Sequence, residues 1–263
     1  MTEQIPAEKL LQWQITAGVD ETIGDIPVNR FAPVKKTDAP ALGDTESAPV
    51  VFAPTPQQTE SAPLPPPPTI ALAGQAATLD ELRAAIAAFD GCSLKETAAN
   101  MVFAAGNPDA RLMIIGEAPG AEEDRQGLPF VGASGHLLDL MLKSIGLDRT
   151  QVYISNILPW RPPANRKPSE SEMALFTPFV RRHIALVKPD VLLLLGGSAV
   201  SALMNTNAGI TKTRGRWMSY RDGDTAIDAL ASFHPAFLLR TPAQKKLAWR
   251  DLLTVKKRLA VQP

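Results

Sequence analysis

Apolar positions after residue 77 follow two alternating patterns. Continuous apolar runs in RLMIIG, QVYISNIL, DVLLLLGG and AIDALASF are typical of strands buried inside a sheet. Apolar residues recur at helical spacing in the segments between and around them, such as TLDELRAAIAAF and AQKKLAWRDLLTVKKRLA. Strands that alternate with helices predict an α/β fold. We expect a three-layer α/β/α sandwich with a central, mainly parallel, four-stranded sheet.

Helix-start signals mark three places in this pattern. Thr78 with Glu81, and Ser169 with Glu172, have the spacing of capping boxes. Pro178 predicts the start of a second helix, because proline is favoured in a first turn and disfavoured in a helix interior.

The chain before residue 77 has a different composition. Half of the 24 prolines precede residue 69, and residues 32–76 are rich in proline, alanine, threonine and glutamine. This composition predicts a disordered, locally polyproline-II linker. Residues 1–31 contain the stretch LLQWQI, which is apolar enough for a short helix. That helix would dock on the folded part or bind a protein partner. Residues 77–263 form the one predicted folded domain.

Charge and cysteine content limit the class of protein. Residues 1–76 hold nine acidic and four basic side chains, whereas the rest holds 18 acidic and 23 basic ones. A basic folded part is compatible with a polyanionic partner, although an ordinary solvated surface explains it as well. The single cysteine, Cys92, excludes an internal disulfide or an all-cysteine metal site within one chain. No apolar run approaches a membrane span of about 20 residues, and no signal-peptide pattern opens the chain. We expect a cytoplasmic protein.

Polar clusters follow three of the predicted strands. GEAPGAEED follows the first strand, Asn156 and RPPANR follow the second, and His234 in HPAFLLR follows the last. Functional residues of such sheets lie beyond the carboxyl ends of the strands, so we expect the clusters to converge on one edge. Taken singly, each has a structural explanation: a solvated acidic loop, a strand-end cap and a buried structural histidine. The first cluster matches neither GxGxxG nor a Walker loop.

Five segments resemble, in order and spacing, the family 4 uracil-DNA glycosylases of bacteria and archaea. They are GEAPGAEEDRQGLPFVGASGHLL, YISNILPWRPPANR, LLLLGGSA, ITKTRGRW and HPAFLLR, and the resemblance runs from about Phe89 to Leu259. It implies the uracil-DNA glycosylase fold and a monofunctional base excision repair enzyme. Such an enzyme would flip uracil out of DNA and hydrolyse its N-glycosidic bond, leaving an abasic site. A bacterial, cytoplasmic monomer acting on the nucleoid is the expected setting.

The resemblance also implies roles for individual residues in the pocket. Glu117 would place or activate the water, and Glu123 would lie near the base edge that must exclude the thymine methyl group. His234 would donate to uracil O2 as negative charge develops there. The implied substrate contacts are Gly116, Ala118, Phe130, which would stack on the base, and Asn156, which would bond N3–H and O4.

DNA contacts are implied outside the pocket. Either Leu238 or Leu239 would fill the gap left by the flipped nucleotide. The expected contact residues, mostly to phosphate, are Arg161, Arg166, Lys212, Arg214, Leu239 and Arg240.

The sequence departs from the family at its iron–sulfur site. Family members hold a 4Fe–4S cluster on four cysteines, but here only Cys92 remains, and the other positions hold Phe89, Trp160 and Phe176. Because one thiolate cannot hold such a cluster, we expect no cluster, no other metal and no cofactor. We expect the three aromatic rings to form a buried plug instead.

Two alternatives to the leading function remain open. One is a non-catalytic module that binds DNA lesions or abasic sites, and the other is a glycosylase with shifted base specificity. Covalent trapping of the product is not expected. A related branch traps it through a histidine in an inserted basic loop, and WRPPANRKPSESE has neither.

Overall fold

The structure is a computed structural model, and it describes residues 68–223 and 225–261. The predicted N-terminal helical segment, residues 1–31, and most of the predicted linker lie outside the described residues. No helix of the described part combines the length and apolar composition of a membrane span.

Helices and strands alternate through the described chain. In order they are α1 (Pro68–Gln75), α2 (Leu79–Ala88), α3 (Leu94–Thr97), β1 (Ala104–Gly106), β2 (Leu112–Gly116), α4 (Ala121–Gln126), α5 (Ala133–Ser144), β3 (Tyr153–Asn156), α6 (Glu170–Val187), β4 (Val191–Leu195), α7 (Gly197–Met204), α8 (Ile210–Thr213), β5 (Trp217–Asp222), β6 (Thr225–Ser232), α9 (Pro235–Arg240) and α10 (Lys245–Val261). Two 3-10 turns, Pro163–Asn165 and Pro242–Gln244, complete the set.

The strands form one six-stranded sheet in the order β1-β3-β2-β4-β6-β5. The four predicted strands, β3, β2, β4 and β6, pair in parallel at its centre. Two antiparallel edge strands, β1 and β5, extend the predicted four-stranded sheet to six. The apolar pattern missed them because β1 has only three residues and β5 is mostly half-buried or exposed.

Alternate residues of the central strands face two separate cores. Met113 and Ile115 of β2 pack with α2, α6 and α7 on one face of the sheet. Leu112 and Ile114 pack with α5 and α10 on the other. Helices therefore cover both faces, and the predicted α/β/α layering is confirmed.

The end of the predicted linker is helical. Residues 68–75 form α1, on which Thr69 and Ala73 are buried, and this helix packs on α6. The Arg182 guanidinium of α6 donates from Nε to the Ala76 carbonyl oxygen at 2.7 Å. The linker boundary at residue 76 is therefore wrong, because cover by α6 offsets the ordering cost that composition alone suggested.

Pro178 does not start a helix. α6 runs without interruption from Glu170 to Val187, with Pro178 in its interior. Its predicted start is correct: Ser169 Oγ accepts from the Glu172 N–H at 3.1 Å, and Glu172 Oε2 accepts from the Ser169 N–H at 2.8 Å. Burial of seven side chains along α6 outweighs the lost hydrogen bond at the proline.

An aromatic cluster joins the end of the second helix to α6. Phe89, Trp160 and Phe176 lie in one buried apolar group. Phe179, which the sequence analysis did not include, completes it. The Phe89 ring meets Phe176 edge-on with centroids 6.0 Å apart, and Phe179 lies 5.9 Å from Phe89 and 6.1 Å from Phe176.

Removing one ring from this cluster should destabilise the fold. We expect Phe176→Ala to lower the free energy of unfolding by about 3–5 kcal/mol, because the side chain is fully buried and the cavity cannot close completely. Urea denaturation followed by circular dichroism measures the change. Leu140→Ala, at an exposed site on α5, is the matched control and should change it by less than about 0.5 kcal/mol. Equal effects of the two substitutions would contradict this account of the cluster.

Candidate functional site

The carboxyl ends of β2, β3 and β6 surround a cavity of about 380 Å³. The three polar clusters converge there, on the edge where the sequence placed them. The lining residues are Glu117, Ala118, Pro119, Gly120, Glu123, Phe130, Ser134, Asn156, Pro162, Asn165, Arg166, His234, Ala236, Phe237 and Arg240.

Asn156 ends β3 with an unpaired acceptor. Its side chain is 5% exposed, and within the described residues its buried Oδ1 has no hydrogen-bond partner. Gly116 is the register partner of Asn156 in β2. A Cβ at Gly116 would lie 2.6 Å from the Phe130 ring and closer still to Asn156 Oδ1. The absence of a side chain at Gly116 therefore leaves the space that the Asn156 and Phe130 side chains occupy. The structure gives Gly116 this spacing role in place of the substrate contact expected from the sequence.

Phe130 is held in an uncommon backbone conformation beside His234. Its φ of 54° lies in the left-handed region. The Arg149 guanidinium donates to the Phe130 carbonyl oxygen and, at 3.1 Å, to that of Pro129. The Phe130 and His234 rings stack with centroids 5.4 Å apart. Phe130 is thus a fixed aromatic wall of the cavity.

His234 is a neutral hydrogen-bond donor. It caps α9, and its Nδ1 accepts from the Ala236 N–H at 3.2 Å. Burial, helped by the positive charge of Arg240, lowers the pKa of His234 to about 4. The ring is therefore uncharged at neutral pH. Because Nδ1 accepts, the hydrogen-bond pattern assigns the ring proton to Nε2.

Glu123 is fixed by backbone donors. Oε1 accepts from the N–H groups of Val131 and Gly132 at 2.9 and 2.8 Å, and Oε2 accepts from that of Gly120 at 3.1 Å. The side chain is 7% exposed. Its carboxylate joins the turn before α4 to the turn before α5, so both oxygens are already engaged.

Glu117 keeps one carboxylate oxygen available. It follows β2 and is half-buried. Ser198 Oγ, in the first turn of α7, donates to Glu117 Oε2 at 2.6 Å. Oε1 has no partner among the described side chains and backbone groups, so it can accept a hydrogen bond from a ligand or a water.

The predicted phosphate contacts divide into two groups. Arg166 and Arg240 line the cavity, and Arg161 lies beside it, with Nε donating to Asn165 Oδ1 at 2.8 Å. Lys212 and Arg214 do not line it. Arg214 is bound to the buried Asp251 carboxylate and to the Leu247 carbonyl oxygen.

Arg214 is therefore committed to the protein interior, contrary to the role expected for it. The spacing of ITKTRGRW could not show this, because Asp251 lies on α10, 37 positions away. Arg166 is shared: it also forms two hydrogen bonds with Glu172, at 2.6 and 2.9 Å, which lower the pKa of that carboxyl to about 2.

Burial separates the two wedge candidates. Leu238 is 1% exposed in the core, whereas Leu239 is 43% exposed on α9 next to Arg240. Of the two, Leu239 is the one whose side chain is accessible to a partner.

Sequence reasoning missed several residues of the site. Ser134, Asn165 and Phe237 line the cavity, and Ser198 and Arg149 support its walls. Ser198 carried one usable signal, since it directly follows the glycine pair after β4. Arg149 carried none, because its partners lie about 20 positions before it.

The family model that matches this chain and two of its similar relatives all belong to the uracil-DNA glycosylases. Residues 103–253 match the model of the Uracil DNA glycosylase superfamily. A type-4 uracil-DNA glycosylase of Sulfurisphaera tokodaii is 35% identical over 191 residues, covering 71% of this chain and 86% of the relative. One of Thermotoga maritima is 40% identical over 150 residues, covering 57% of this chain and 77% of the relative.

These relatives correct the expectation that no cluster is bound. Type-4 uracil-DNA glycosylases are iron–sulfur cluster enzymes, so missing cysteines do not establish that the cofactor is absent. The donor set nevertheless does not fit a cluster held by four thiolates of one chain, because Cys92 is the only cysteine. Its thiol is buried, which raises its pKa. Within the described residues, no group of three or more histidine, cysteine, aspartate or glutamate side chains could hold a metal ion.

A second buried histidine, His183, lies on α6. His183 Nε2 shares a hydrogen bond of 2.8 Å with the Tyr153 hydroxyl, and its ring stacks on Phe103 with centroids 4.5 Å apart. Burial lowers the pKa of His183 to about 3.

Two histidines with lowered pKa values make the fold sensitive to acid. Unfolded histidine titrates near pH 6.5. Below that pH the unfolded chain binds more protons than the folded one, and the free energy of unfolding falls as the pH falls. We expect a loss of about 2 kcal/mol per histidine between pH 6.5 and 5.

Urea denaturation at pH 7, 6 and 5 measures this slope. His183→Gln should flatten it by about half, and His136→Gln, at an exposed site on α5, is the matched control that leaves it unchanged. A slope that is the same in His183→Gln as in the unaltered protein would contradict the assignment.

Proposed function

The chain belongs to the uracil DNA glycosylase superfamily and is a uracil-DNA glycosylase, and we propose that it flips uracil into the cavity and hydrolyses its N-glycosidic bond, leaving an abasic site. The buried, unpaired Asn156 Oδ1 carries this proposal. A buried acceptor without a partner costs about 1–3 kcal/mol, and a ligand that donates to it removes that cost.

Asn156 reads the base. Its Oδ1 accepts from uracil N3–H, and its amide N–H donates to O4. Cytosine has an acceptor at N3 and a donor at N4. Asn156 Oδ1 would therefore face an acceptor and its amide N–H would face a donor, so both hydrogen bonds would be lost. Phe130 provides the aromatic face on which the flipped base stacks.

His234 stabilises the leaving base. Cleavage passes through an oxocarbenium-like sugar, and negative charge develops on the departing uracil. A fixed Nε2–H directed to O2 binds more strongly as that charge grows, so it lowers the barrier more than it strengthens ground-state binding. Because the pKa of His234 is about 4, the donor is the neutral imidazole.

Glu117 places the water. Ser198 occupies Oε2, which leaves Oε1 to accept a proton of the attacking water and to face the developing positive charge of the sugar. For Glu123 we propose a role other than the expected one at the base edge that excludes the thymine methyl group. Since three backbone N–H groups engage it, we assign it the positioning of the two turns that carry Glu117 and Phe130.

DNA is held from the side of α9. Leu239 enters the base stack where the uridine leaves it, and Arg240 meets the adjacent phosphate. Arg161, Arg166 and Lys212 add positive charge along the strand. We place this activity with cellular DNA in the cytoplasm.

Uracil release tests the proposed function. The protein should convert a uracil-containing oligonucleotide to an alkali-labile product, and an otherwise identical thymine oligonucleotide should remain intact. We expect Asn156→Ala and His234→Ala each to lower the single-turnover rate by about 10²–10³-fold. Asn207→Ala, on an exposed loop away from the cavity, is the matched control and should stay within twofold of the unaltered protein.

Three outcomes would overturn the proposal or its roles. Tight binding to uracil or abasic DNA without base release favours a lesion-binding module. Release of hypoxanthine or xanthine in preference to uracil favours shifted specificity. Near-normal rates in both Asn156→Ala and His234→Ala remove the assigned roles.

The wedge is tested by comparing substrates. Leu239→Ala should lower the rate on double-stranded uracil DNA by about tenfold or more and that on single-stranded DNA by much less, because only a duplex has a stack to refill. Leu140→Ala, also an exposed leucine, is the control for lost apolar surface. Equal losses on the two substrates would contradict a wedge.

A further inference from the structure

The contact between Ser198 and Glu117 lies outside the cavity lining. Ser198 is 3% exposed and is not among the residues that line the cavity, and its Oγ donates to Glu117 Oε2 at 2.6 Å. A substrate in the cavity therefore meets Glu117 and not Ser198. The hydrogen bond to that carboxylate is the direct contact through which the Ser198 side chain can act on the reaction.

The backbone around Ser198 is fixed by the sheet. Ser198 is the second residue of α7, which follows β4, and β4 pairs in parallel with β2, the strand that leads to Glu117. The Gly196 N–H donates to the Ser232 carbonyl oxygen at the end of β6, at 2.9 Å. Gly196 also has φ 96°, and a Cβ there would lie 3.4 Å from His234 Cβ. One turn therefore positions both Ser198 and the neighbourhood of His234.

Two physical effects act on Glu117 from this position. The hydroxyl bond stops rotation of the carboxylate about its terminal torsion, so Oε1 keeps one direction. The first turn of α7 presents the positive end of the helix dipole, which favours a negative charge beside it. Without the hydroxyl, the half-buried carboxylate can rotate away from this orientation.

We propose that Ser198 is a positioning residue that holds Glu117 Oε2 and so directs Oε1 at the attacking water. This inference rests on the proposed uracil-DNA glycosylase function. Misdirection of a reacting group by about 1 Å costs on the order of 10²-fold in rate. The loss should appear in the rate of the chemical step and not in the affinity for DNA, because Ser198 does not line the cavity and contacts only Glu117 there.

Single-turnover kinetics with a uracil-containing oligonucleotide test the proposal. Ser198→Ala should lower the cleavage rate by about tenfold to a hundredfold, while the Kd for the oligonucleotide, from fluorescence anisotropy, stays within twofold. Ser198→Thr keeps the hydroxyl and should restore most of the rate. Ser201→Ala, one turn further along α7 with its hydroxyl on the Ser198 carbonyl oxygen, is the matched control and should retain the full rate.

A double-variant cycle distinguishes positioning from a general effect on folding. If Ser198 acts through Glu117, the pair Glu117→Ala with Ser198→Ala is no slower than Glu117→Ala alone. Multiplied losses in the double variant, a raised Kd as the main effect of Ser198→Ala, or an unchanged rate in Ser198→Ala would each overturn the proposal. If the unaltered protein releases uracil, these outcomes bear only on the role of Ser198. If it releases none, the proposed function itself fails. The cycle decides even where the threonine variant folds poorly.

Discussion

The carboxylate of Glu123 is the contact on which the rest of the site depends. It is buried and accepts from three backbone N–H groups at 2.8–3.1 Å, two before α5 and one before α4. A buried carboxylate is strongly unfavourable without such donors, and the donors would be unpaired without it. The two turns can therefore be ordered only together. One of them follows Glu117 and the other follows Phe130, so Glu123 links the segments that carry these two cavity-lining residues.

Asn156 is fixed by backbone pairing on one side and by aromatic packing on the other. Beyond the end of β3, the N–H groups of Ile157 and Leu158 still donate to the carbonyl oxygens of Gly116 and Glu117 at 3.0 Å. Trp160 then enters the buried cluster with Phe89 and Phe176. The chain cannot relax to bring Asn156 Oδ1 to a partner of its own. An unpaired buried acceptor persists only where the surroundings hold it. Thr69 Oγ1, Trp160 Nε1 and the Tyr220 hydroxyl are also buried without partners among the described residues, but of these four residues only Asn156 lines the cavity.

The sequence was sufficient for features that depend on local pattern. Four apolar runs gave the parallel centre of the sheet, and their polar carboxyl ends gave the place of the cavity. It was insufficient where a distant partner decides. β1 and β5 are strands only because β3 and β6 offer edges to pair with. In the sequence Arg214 resembles a phosphate contact, whereas in the fold its guanidinium is bound to the carboxylate of Asp251. The choice between Leu238 and Leu239 depends on the rotation of α9 against the core. The error at α1 has the same cause, since its cover comes mainly from α6, about 100 positions further along the chain.

Helix α9 carries three of the proposed functional residues. His234 caps its first turn, and Leu239 and Arg240 end it, so the proposed base donor, wedge and phosphate contact all lie on one short helix. The positive charge of Arg240 adds to burial in lowering the pKa of His234. The same field that disfavours an imidazolium favours an anion in its place. The one anion that the proposed reaction creates there is the departing uracil. Burial is the larger cause of the neutral histidine, and the charge of Arg240 is the part of this environment that also favours the proposed leaving group.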